Sequence, residues 1–95
     1  MAQELYFDRS ETTALITPDA LRIRFQQSGF PGATLQQTKD GPDLILGDKI
    51  ELMLSEEGGF VSAITMDVTF IDKPGDRKVR LAAELLQSMG WVCEE

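Results

Sequence analysis

The sequence predicts an α+β fold: a two-layer sandwich in which a mainly antiparallel sheet of about four strands carries two helices on one face, in the order β-α-β-β-β-α. Three observations lead there. Along residues 63–70, Ile64, Met66, Val68 and Phe70 point one way and Ala63, Thr65, Asp67 and Thr69 the other, the period of a half-buried strand. Within residues 76–89, Val79, Ala82, Leu86 and Met89 fall on one helical stripe, widened by Leu85 and flanked by Leu81. The remaining apolar runs are joined by short turn-like links, which suit antiparallel neighbours. With 95 residues and no linker or low-complexity tract, the chain reads as a single domain, 1–95.

The elements follow in order. Glu4–Asp8 is a short, aromatic-rich strand. Residues 18–28 are read as a helix despite the strand-like alternation of Leu21-Arg22-Ile23-Arg24-Phe25, because both ends carry helix punctuation. Thr17-Pro18-Asp19 offers an N-cap, a proline at the first position and an acid in the first turn, and Ser28-Gly29-Phe30 offers a left-handed stop. Ala33–Lys39 is a polar strand suited to a sheet edge, and Asp40-Gly41-Pro42-Asp43 is a turn by composition. Leu44–Leu46 starts a strand that is interrupted or bulged at Gly47-Asp48 and continues through Ile50, Leu52 and Leu54. Glu57-Gly58-Gly59 turns the chain into the strand at 63–70, and a loop over 72–76 leads to the second helix. Gly90-Trp91 closes that helix as Gly29-Phe30 closes the first, and Val92-Cys93 leaves room for a last short strand. The expected core comprises Leu52, Leu54, Ile64, Met66, Val68, Phe70, Val79, Leu86 and Trp91.

Composition removes several classes of function. Histidine is absent, which excludes Ser-His and Cys-His nucleophile pairs, histidine general bases and histidine-containing zinc sites. One cysteine, Cys93, allows no intrachain disulfide and points to a reducing, cytoplasmic compartment. No apolar run reaches the roughly 20 residues of a membrane span, and the first residues lack a signal-peptide pattern. Sixteen acids against nine bases give a net charge of −7, a field that repels polyanions and makes nucleic acid an improbable partner.

The charge is uneven. Residues 1–72 carry −7, residues 73–80 carry +3, and residues 81–95 carry −3. Lys73, Arg77 and Lys78 thus form a basic patch at the start of the second helix, where backbone amides also favour anions, and they are the candidate contacts for an anionic group or an acidic partner. The competing account is a solvated face whose bases balance Asp72, Asp76 and Glu84. Pro74-Gly75 lacks the spacing of a phosphate loop, and Asp40, Asp43 and Asp48 lack that of a calcium loop, so turn formation explains these acids better. Cys93 has no histidine to activate it and reads as a structural thiol. No catalytic residue, cofactor or metal is expected.

The α-β-β-β-α order read for residues 18–89 resembles that of double-stranded-RNA-binding domains, which grip phosphates with a basic second-helix N-terminus at the place of Lys73, Arg77, Lys78 and Arg80. The resemblance is one of order, with no shared motif, and the net charge opposes it. In size, charge and mixed α+β character the chain is also similar to small acidic secretion chaperones and immunity-type proteins. The expected function is a non-catalytic, acidic, cytoplasmic protein-interaction module that binds a protein partner or itself, a homodimer being one form, through the sheet or an apolar helix edge. A small enzyme subunit, or anion or nucleic-acid binding through residues 73–80, stands as the alternative.

Overall fold

The computed structural model describes residues 3–47, 50–68 and 77–94, the side chains of Gln3 and Val68 excepted. The elements are β1 (Gln3–Asp8), α1 (Pro18–Gln27), β2 (Thr34–Thr38), β3 (Gly41–Gly47), β4 (Ile50–Glu57), β5 (Phe60–Val68), α2 (Arg77–Ser88) and β6 (Val92–Glu94). The strands form one sheet in the order β2-β3-β4-β5-β1-β6, and every neighbouring pair is antiparallel. The chain is therefore a small α+β fold with six strands, where the sequence suggested about four in two layers.

Two local readings account for the difference. Residues 44–54 are two paired strands rather than one bulged strand: Leu44 lies opposite Leu52, and Ile45 opposite Glu51. A Gly-Asp pair serves a bulge or a turn equally well, so the local sequence does not separate the two. Val92–Glu94 pairs with β1 and adds the sixth strand. Gly41, Pro42 and Asp43 belong to β3, so the turn read at 40–43 is confined to Lys39 and Asp40. Four strands now separate the helices, and the order shared with double-stranded-RNA-binding domains no longer holds. Asp48, Phe70 and the loop over 72–76 lie outside the described residues.

Strand alternation sends one set of side chains into the core. Leu35, Leu44, Leu52, Met66 and Leu5 stand in register across five strands, and Leu54, Ile64, Phe7 and Cys93 across four. Leu21 and Phe25 of α1, Ala82 and Leu86 of α2, and the post-helical Phe30 and Trp91 join them in a single cluster. Leu52, Leu54, Ile64, Met66, Leu86 and Trp91 are buried as expected, and Val79 is half-buried against them.

The helix ends follow the residue signals. Thr17 accepts a hydrogen bond from the Ala20 amide at 3.1 Å, with Pro18 at the first position. The Phe30 amide donates to Phe25 O and the Trp91 amide to Leu86 O, both at 3.0 Å, so each helix closes on a positive-φ glycine followed by a buried aromatic ring.

Candidate functional site

The residues that alternate away from the core form the outer face of the sheet. Their arrangement follows from the strand order, which places the first strand beside the fifth. In one row, Ile45 lies opposite Glu51, Glu51 opposite Asp67, and Asp67 opposite Glu4. In the next, Asp43, Met53, Thr65, Tyr6 and Glu94 follow one another, and in a third Ser55, Ala63, Asp8 and Val92. Six carboxylates thus occupy this face, and no lysine or arginine stands among them in the described residues. Between them lie the half-buried Ile45, Met53 and Ala63 and the exposed Tyr6 and Val92.

Glu51, Asp67 and Glu4 stand side by side on three adjacent strands, and like charges directly opposite one another destabilise a sheet. The Oδ1 atom of Asp67, in the middle, is buried and has no hydrogen-bond partner among the described residues. Strands roughly 4.8 Å apart spread the outer two carboxylates over about 10 Å, whereas a single hard cation needs its oxygens within about 2.6 Å. Among the described residues no trio of acidic, cysteine or histidine side chains is placed to hold a metal. A row of this length suits several cationic groups presented by one extended surface.

Crowding also acts at the margins of the face. Burial first, and the neighbouring Asp40 carboxylate second, hold the Asp43 carboxyl above its ordinary value. A hydrogen bond with Asp8, then the charge of Asp8, and last burial raise Glu94 in the same sense.

The bases of the helical elements lie elsewhere. Arg22 is tied to Asp19 Oδ1 by its Nε at 2.9 Å and its Nη2 at 2.6 Å, and Arg24 has no ion-pair partner among the described residues. Arg77 and Lys78 are exposed in the first turn of α2, which contains no acid; Lys73 lies outside the described residues. Cys93 faces the core opposite Phe7 and is half-buried. Beside α1, a groove of about 390 Å³ is lined by Leu15, Ile16, Ile23, Arg24 and Met89, among others.

No protein-family model matches the chain, and no curated protein or solved structure matches it either. Among the described residues no helix is long and apolar enough to cross a membrane.

Proposed function

We propose that the chain is a non-catalytic, cytoplasmic protein-interaction module that takes a basic segment of a partner protein on the outer face of its sheet. The observation that carries this reading is the row Glu51–Asp67–Glu4. Each like-charged neighbour costs the free chain about 0.2–1 kcal/mol, and a row of lysines or arginines laid across it turns that repulsion into attraction. The net charge of −7 supports the same reading, since it draws a basic partner in from a distance and repels nucleic acid. The half-buried Ile45 and Met53 beside the row add apolar contact for the partner's aliphatic stems.

A fluorescein-labelled oligolysine peptide serves as the probe, with anisotropy as the readout. Binding is expected at low salt, with a severalfold loss in a Glu4→Gln, Glu51→Gln, Asp67→Asn variant. A Glu11→Gln, Glu56→Gln, Glu84→Gln variant removes the same charge away from the row and is expected to retain most of the affinity. Equal losses in the two variants would reduce the effect to net charge and remove the basis for a site.

A second reading has one observation behind it: α2 begins with exposed Arg77 and Lys78 and no acid. These two bases, with Lys73 four residues before Arg77 in the sequence, are the candidates for holding an acidic group.

A further inference from the structure

Leu15 is the most exposed large apolar side chain of the described residues, at 62 %. Its backbone is nevertheless pinned on both sides. The Ser10 and Thr13 hydroxyls each donate to Gly90 O at 2.6 Å, the Val61 amide donates to Ile16 O at 2.8 Å, and Thr17 caps α1. The segment therefore holds a leucine in water with a fixed backbone. Facing it, α1 presents a second stripe, Ala20, Ile23, Arg24 and Gln27 at i, i+3, i+4 and i+7, turned away from the core residues Leu21 and Phe25. Ile23 is 41 % exposed, and the Arg24 guanidinium beside it has no ion-pair partner among the described residues. The result is an apolar groove with one cation on its rim.

The matching chemistry is on the same chain, at the sheet edge that β1 and β6 form. Tyr6 lies opposite Glu94 and Asp8 opposite Val92, so two exposed apolar side chains and two carboxylates form a compact square on β1 and β6. Tyr6 and Val92 are 49 % and 50 % exposed. The two carboxylates crowd each other, which a guanidinium placed between them relieves. We propose that copies of this chain associate head to tail, the Tyr6–Val92 corner of one seated in the Leu15–Ile23 groove of the next with Arg24 between Asp8 and Glu94. The two surfaces differ, so the contact is heterologous and gives open chains, or rings where the rotation closes. Contact of this size is weak, and the net charge opposes it at long range, so association is a property of high protein concentration. Neither Arg24 nor Glu94 belongs to the row Glu51–Asp67–Glu4 proposed for a basic partner, so this contact is independent of that binding.

Charge reversal tests it. The wild type, Arg24→Glu and a double variant, Asp8→Asn with Glu94→Arg, are compared by analytical ultracentrifugation up to millimolar concentration, with circular dichroism confirming that each is folded. The wild type is expected to sediment faster as concentration rises. Each variant alone sets like charges against each other at the contact and is expected to stay monomeric, its association weakened about tenfold or more. An equal mixture restores opposite charges at both alternating contacts and is expected to associate again. A wild type that stays monomeric throughout, variants that associate as it does, or a folded mixture that remains monomeric would each overturn the proposal.

Discussion

Gly90 has no room for a side chain. Its φ is +96°, and a Cβ there would lie 2.9 Å from backbone atoms of Thr12 and Thr13. Neither flanking segment yields readily, because Ser10 and Thr13 are bonded to the Gly90 carbonyl. Gly90→Ala is therefore expected to cost about 1–3 kcal/mol through left-handed backbone strain, and more through the clash, as measured by chemical denaturation. The positive φ was legible from the residue after it, an apolar Trp91 of the kind that closes a helix. The close approach of Thr12 and Thr13 was not, because it depends on how residues 10–17 cross the end of α2. Glu94 makes the stability of the fold depend on pH. Its carboxyl is raised above the ordinary 4.5 by Asp8, so the folded state binds its proton more tightly than the unfolded state does. The stability it contributes is complete below the unfolded value and is lost as pH rises through the folded one. Glu94→Gln is accordingly expected to raise the melting temperature at neutral pH, and the gain is expected to close as the pH falls towards and below 4.5.

At the scale of elements, α2 was the most readable part of the chain and the β3–β4 hairpin the least. Ala82 and Leu86 are buried and Val79, Leu85 and Met89 half-buried, as the 3.6-residue stripe requires. In the hairpin, Pro42 misled: it signals a turn, but here it sits buried inside β3 opposite Gln37 of the edge strand. The start of α2 supplies a test of the basic patch. Arg77 and Lys78 stand at the positive end of the helix dipole, each at a cost of about 0.3–1 kcal/mol or less where solvent screens it. A Lys73→Ala, Arg77→Ala, Lys78→Ala variant is expected to keep its fold with an unchanged or raised melting temperature. It is also expected to lose whatever retention the wild type shows on an immobilised oligoglutamate peptide at low salt. Retention equal to that of the wild type would leave these bases without a binding role.

Across the outer face of the sheet the described charges are all acidic, and this is what the sequence showed least. The net charge of −7 was plain from composition, and alternation put Asp67 on a polar face with Thr65. Nothing local said that Glu4 and Glu51, nearly fifty residues apart, flank Asp67 on either side. That neighbourhood exists because β1 inserts between β5 and β6, a choice made by core packing over the whole sheet. The basic run at 73–80 is conspicuous because it is contiguous; the acidic row is assembled from three strands and is visible only once the register is known. That row is the surface proposed for a basic partner. The most direct measurement is a titration of ¹⁵N-labelled protein with the oligolysine peptide, followed amide by amide. Shifts concentrated at Glu4, Glu51, Asp67 and their neighbours on β1, β4 and β5 are the predicted result, and shifts spread evenly over the acidic loops, or absent from those three strands, would contradict it.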